Sequence, residues 1–138
     1  SGTTSSAHLW MEVRRHPSVR AAYAALRAQG FAIVATAIGA DAREPWAVDF
    51  TRPTALVLGN EQRGVSPDAA AAADLRVLIP MRGMVQSLNL SVAAGALLFE
   101  AMRQRQAAAM YDRPRLADSD RRRILETWLD RERGNSAP

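Results

Sequence analysis

Short apolar runs of strand length alternate along this chain with Ala-rich stretches of helical period, and glycine or proline punctuates the joins. Leu9-Trp10-Met11-Glu12-Val13 reads as a strand, Ser18 to Gln29 as an amphipathic helix closed by Gly30, and Phe31 to Thr36 as a buried strand. Residues 37–53 form a long connection with Gly39, Pro45 and Pro53. A strand over Thr54 to Leu58, a short helix near 68–73, a strand over Leu75 to Ile79 and a long helix from about Leu90 to Gln106 follow. Asp112 to Ala117 is a Pro-broken linker. Asp118 or Ser119 can cap a last helix to about Arg133, whose Ile124, Leu125, Trp128 and Leu129 would pack on a neighbour, with fraying from Gly134 to Pro138. This alternation predicts a parallel α/β sheet flanked by helices. It divides into a core over residues 1–109 and a C-terminal linker and helix over 110–138.

Two junctions carry the candidate chemistry. The run Leu75 to Ile79 is stopped by Pro80, turned at Gly83, and leads to a helix that Ser87 or Asn89 can cap. Upstream, Thr54 to Leu58 ends at Gly59-Asn60-Glu61-Gln62-Arg63-Gly64-Val65-Ser66-Pro67 before the Ala-rich helix. Ligands of α/β proteins bind beyond the carboxyl ends of strands, so two Gly-punctuated loops there predict one shared crevice. Glu61 sits inside such a loop, as a ligand-facing group or as a solvated carboxylate.

Composition narrows the class. With 138 residues and 48% hydrophobic content the chain can bury a core, and no apolar run is long enough to span a bilayer. Cysteine is absent, which removes disulfides and thiolate zinc sites and, with no secretory leader pattern, points to the cytoplasm. The net charge is +4, and all 18 basic residues are Arg. The guanidinium fork suits phosphate, although a GC-rich genome would also favour Arg codons. Arg103, Arg105, Arg113, Arg115 and Arg121 to Arg123 gather in the C-terminal third, either as a phosphate-binding face or as a solvated exterior laced with Asp118, Asp120, Glu126 and Asp130.

Other chemistries fit poorly. Gly59 and Gly64 have P-loop spacing, but Val65 stands where its lysine is needed, and no Gly-x-Gly-x-x-Gly occurs. His8 and His16 lie far from any carboxylate cluster, which disfavours a metal site or a catalytic triad.

The two loops, Leu58 to Val65 and Ile79 to Ala93, resemble the second and third motifs of the SpoU/TrmH branch of the SPOUT methyltransferases. Phe99 to Gln106 and Met110 to Leu116 are similar to the tRNA (guanosine-2′-O-)-methyltransferases that act on the D-loop. The likeness runs across nearly the whole chain. Relatives begin with a further stretch holding a first motif with an Asn and a catalytic Arg. No residue here can be assigned that Arg, so the resemblance implies a fragment of a longer enzyme or a naturally shortened protein, with the fragment favoured and this chain alone nearly inactive.

The resemblance further implies a deep C-terminal trefoil knot, a homodimer, and S-adenosylmethionine bound bent in the knot crevice. Cofactor-facing positions are then Thr36, Gly59, Glu61, Gly64, Ile79, Met81, Gly83, Ser87 and Leu88, of which Ile79 and Leu88 could equally be core. The implied reaction transfers the sulfonium methyl to a ribose 2′-hydroxyl, most directly that of guanosine 18 in the tRNA D-loop. Asn89 and Glu61 would position the ribose and its partner groups, and Asn89 could instead serve only as a helix cap. Arg103, Arg105, Arg113 and Arg115 are the candidate RNA contacts. No metal is implied. The alternatives are an rRNA 2′-O-methyltransferase and a non-catalytic module that binds RNA or S-adenosylmethionine.

Overall fold

A computed structural model describes residues 11–60, 62–83 and 88–135. Their elements run α1 (Val19–Ala28), β1 (Ala32–Thr36), β2 (Thr54–Val57), α2 (Pro67–Ala72), β3 (Leu75–Val77), α3 (Leu90–Ala107) and α4 (Asp118–Asn135), with a 3-10 turn at Pro45–Ala47. The chain separates into two compact units, one of residues 16–110 and one joining the segments 1–15 and 111–138.

In the first unit the three strands are parallel in the order β2-β1-β3, with Val34 opposite both Leu56 and Leu75. Strand side chains alternate between faces, and each face has its own cover. Ile33, Ala55 and Val57 pack with Tyr23, Leu26 and Ala69 of α1 and α2. Val34, Leu56, Leu75 and Val77 pack with Leu97 of α3 and with Val48 and Phe50. Burial on both faces is what a parallel sheet requires, and it accounts for the continuous apolar runs.

Local chemistry sets the ends of the elements. Ser18 caps α1 by accepting from the Ala21 amide, Ser66 caps α2 through the Ala69 amide, and Pro67 occupies the first turn of α2, where its missing N–H costs nothing. Gly30 closes α1 at φ +83°, open to glycine without strain. The sheet is pinned to its helices by Asp74, which accepts the Ile33 amide at 2.7 Å and the Arg27 guanidinium at 2.8 Å.

Two expectations need correction. Met11, Glu12 and Val13 are not a strand but exposed irregular chain, in which Glu12 pairs with Arg14 at 2.8 Å; the remaining two residues of that expected strand lie outside the described residues. The connection 37–53 is a connection as expected, and it also feeds the core. Val48 and Phe50 are almost fully buried in the main core, and their backbone is satisfied by α3: Gln104 Oε1 accepts the Phe50 amide at 2.9 Å, Gln104 Nε2 donates to the Val48 carbonyl at 3.0 Å, and Arg105 Nε donates to the Phe50 carbonyl at 2.8 Å. β3 stops at Val77, two residues early, and the Leu78 amide then bonds the Arg43 carbonyl at 2.9 Å.

In the second unit α4 carries Arg–Asp pairs at i,i+3 spacing, Arg121 with Asp118 and Arg123 with Asp120, all exposed. The Arg14 hydrogen bond holds the Glu12 carboxyl below its ordinary pKa, and the charges of Arg123 and Arg131 add to that.

Candidate functional site

All three strands of the first unit point their carboxyl ends at one cleft of about 870 Å³. Thr36 to Ile38 follow β1, Leu58 to Val65 follow β2, Leu78 to Met81 follow β3, and Leu88 to Leu90 open α3; each of these segments contributes to the lining. The topology thus brings together loops separated by up to about fifty positions.

The loop after β2 is tightly built. Asn60 and Gly64 exchange backbone hydrogen bonds at 3.3 and 3.0 Å, and Asn60 Oδ1 accepts the amides of Gln62 at 3.1 Å and Arg63 at 2.6 Å. Gly64 turns the chain at φ +64°. Gly59 lies directly on this bridge: a β-carbon there would overlap the backbone of Gly64 and Val65. Thr36 Oγ1 donates to the Val57 carbonyl at 3.2 Å, tying the ends of β1 and β2 together beside the cleft.

Of the residues expected to face a cofactor, Thr36, Gly59, Gly64, Ile79, Met81 and Leu88 line the cleft. Gly83 does not; it is exposed with φ +148°, and no described residue lies where its side chain would project, so its glycine answers to backbone conformation. Glu61 and Ser87 lie outside the described residues. Ile79 serves both of its readings at once, packing against the main core and lining the cleft. So does Asn89, which lines the cleft and caps α3 by accepting the Ser91 amide at 2.8 Å.

Sequence reasoning placed the 59–64 loop, with Asn60 and Arg63, at the cleft, and missed Ile38 and Arg76 as lining residues. Arg76 alternates off the strand face that carries Val77, and its place two residues before the strand-end loop was the available signal. Among the described lining residues there are two cations, Arg63 and Arg76, and no carboxylate. Nor do described His, Cys, Asp or Glu side chains cluster as a metal site.

The basic residues of the C-terminal third divide by role. Arg105 is committed to the carbonyls of Phe50 at 2.8 Å and Arg52 at 3.4 Å. Arg103 forms a two-pronged pair with Glu100, both contacts 2.8 Å; that bond, with one from Gln104, holds the Glu100 carboxyl at about 2. Arg113 and Arg115 are exposed in the second unit.

Chemically the cleft offers apolar walls, strand-end backbone groups and one approach so close that only glycine fits. That suits a flat, mostly uncharged group held by main-chain contacts.

Comparisons with known proteins bear on the family. The SpoU rRNA Methylase family matches residues 2–99. A tRNA (guanosine(18)-2′-O)-methyltransferase of Thermus thermophilus is 49% identical over 127 residues, covering 92% of this chain and 66% of that protein. Its Escherichia coli counterpart is 40% identical, with 91% and 56% covered, so the chain spans about two thirds or less of these relatives' length. Among solved structures, the Aquifex aeolicus TrmH/SpoU tRNA modifying enzyme superposes with a TM-score of 0.83 at 41% identity over 91% of this chain and 64% of that one. The SpoU methyltransferase AviRb of Streptomyces viridochromogenes, solved in complex with the cofactor AdoMet, gives 0.56 at 41% identity over 64% and 36%. With strand-end loops, fold and most of the sequence in agreement, the chain belongs to the SpoU rRNA Methylase family.

Proposed function

We propose that this chain forms the cofactor-binding core of an S-adenosylmethionine-dependent RNA ribose 2′-O-methyltransferase whose substrate is guanosine 18 of the tRNA D-loop. The observation that carries this reading is the convergence of Thr36, Gly59, Gly64, Met81, Leu88 and Asn89 on one cleft whose Gly59–Gly64 contact leaves no room for a side chain. The names of the relatives at 40–49% identity support the substrate. The AdoMet complex of AviRb supports the cofactor.

Bound there, S-adenosylmethionine supplies an electrophilic methyl on a positive sulfonium. The residues of the chain hold and orient. Ile79, Leu88 and the strand-end backbone beside Gly59 would hold the cofactor, and Thr36 keeps the two strand ends together. The ribose hydroxyl must shed its proton as the new bond forms. Asn89 uses Oδ1 as a cap, which leaves its amide nitrogen to orient the ribose, and Glu61 shares that task. The same reading includes a deep C-terminal trefoil knot, a core over 1–109 with an appended segment 110–138, and work in the cytoplasm. It includes a homodimer as well: Val92 and Phe99, seven residues apart on one side of α3 and each more than half exposed, would offer apolar surface to a second copy. Among the described residues no helix is long and apolar enough to cross a membrane.

The test is tritiated methyl transfer by the protein expressed from its full reading frame to unmodified tRNA and to tRNA already carrying 2′-O-methylguanosine at position 18. Incorporation into the first alone supports the reading. Equal incorporation into both moves the target elsewhere, and incorporation only into rRNA replaces it with the rRNA alternative.

A further inference from the structure

We infer that Arg63 grips a backbone phosphate of the RNA beside the ribose in the cleft, acting as a binding and positioning residue. This rests on the methyltransferase reading above and adds to it a named anchor for the substrate backbone.

Arg63 lines the cleft, and its main chain is hydrogen-bonded within its own loop. Its amide is held by Asn60 Oδ1 at 2.6 Å, inside a loop closed by the Asn60–Gly64 bridge and backed by Gly59. Its side chain is exposed, so its guanidinium is open to a ligand.

The charges then decide what it meets. Arg76, the other cation of the cleft, is already engaged: it pairs with Asp41 at 2.8 Å and donates to the Ala70 carbonyl at 3.3 Å. Arg63 has no carboxylate or carbonyl partner among the described residues. A free cation in a cleft that receives a sulfonium adds repulsion unless it is aimed at an anion. Every RNA ribose supplies one, because the 3′-phosphate is attached to the carbon next to the one bearing the 2′-hydroxyl. The planar guanidinium can take two phosphate oxygens at once, fixing the orientation of the backbone as well as binding it. The other anions assigned to the site are the carboxylate of the cofactor and that of Glu61, and the experiment separates the phosphate from both.

Arg63→Ala and Arg63→Lys are compared with the wild-type chain in two assays: calorimetry with S-adenosylhomocysteine, and filter binding of an unmodified tRNA transcript over a series of salt concentrations. We expect both variants to bind S-adenosylhomocysteine within about twofold of wild type. Arg63→Ala should bind tRNA roughly tenfold more weakly, with the slope of log affinity against log salt reduced by about 0.7–0.9, the value of one phosphate contact. Arg63→Lys should restore the slope and only part of the affinity, since a point charge replaces a fork. Weakened S-adenosylhomocysteine binding with an unchanged tRNA slope would overturn the inference in favour of the cofactor carboxylate. Unchanged values in both assays would overturn it in favour of a solvated side chain. A wild-type chain that binds neither ligand would sink the methyltransferase reading itself, a result distinct from both.

Discussion

Asp74 receives the backbone amide of Ile33 at 2.7 Å, so a carboxylate at the start of β3 terminates the hydrogen-bond ladder of β1. Ile33 is fully buried, and its N–H finds a charged acceptor instead of water. This bond, then Arg27, holds the Asp74 carboxyl below its ordinary pKa. A carboxyl depressed in the folded state stabilises the fold fully above its unfolded value of about 3.9, and that contribution fades as pH falls through the lower folded value. Asp74→Ala should therefore cost about 1–3 kcal/mol in urea melts at pH 7. The difference between variant and wild type should shrink at pH 3. A difference that grows with acidity would contradict the assignment.

Gly59 and Gly64 look alike in sequence and should respond differently to the same change. Gly59→Ala forces a side chain into the Gly64 backbone, so the loop must open and S-adenosylhomocysteine affinity should fall by more than tenfold. Gly64→Ala meets no described neighbour within 4 Å and carries the strain of its left-handed φ of +64°, a cost of about 1–2 kcal/mol. Calorimetry on both variants, alongside thermal melts, checks the contrast.

Three of the four arginines expected at the RNA should separate into two classes. Arg105→Ala removes charged hydrogen bonds to the Phe50 and Arg52 carbonyls, and should lower stability by about 1.5–3 kcal/mol with the salt slope for tRNA unchanged. Removing Arg113 and Arg115 together should reduce that slope by about 1.5 while leaving the melting temperature alone. Filter binding paired with melting curves reads both.

Asn89 invites a substitution that splits its two tasks. Asn89→Asp keeps an oxygen for the Ser91 amide and should hold stability, yet it removes the amide nitrogen assigned to the ribose and should depress methyl transfer at least tenfold. Asn89→Ala should lose both, with about 0.5–2 kcal/mol of stability from the missing cap. Retained turnover in Asn89→Asp would reduce the residue to a cap.

Elements whose periodicity reflects a face buried against a regular neighbour were legible from sequence. The runs at 32–36 and 54–57, and helices α1 and α3, lie within one or two residues of expectation. Val48 and Phe50 were not legible, because only two inward positions flank Asp49 and their burial depends on polar groups of Gln104 and Arg105 more than fifty residues away. The strand expected at 9–13 failed in its described part for the converse reason: Met11 and Val13 have the pattern but no sheet edge to cover them, and remain 58% and 69% exposed. The site divides likewise. Glycines and strand ends announced the loops, whereas Arg76 entered through the register of β3 with β1, which pairs it with Ala35 and which no local pattern encodes.

Helix α3 joins two distant places by a single rigid element. Its first turn borders the cleft, and its eighteen residues, about 27 Å of rise, end where Gln104 and Arg105 hold the segment around Phe50. A rod fastened at its far end cannot slide or swing to meet a ligand without breaking those bonds. The cleft therefore takes one of its walls from contacts made at the other end of the helix, and a substitution at Gln104 should loosen a cleft it never touches.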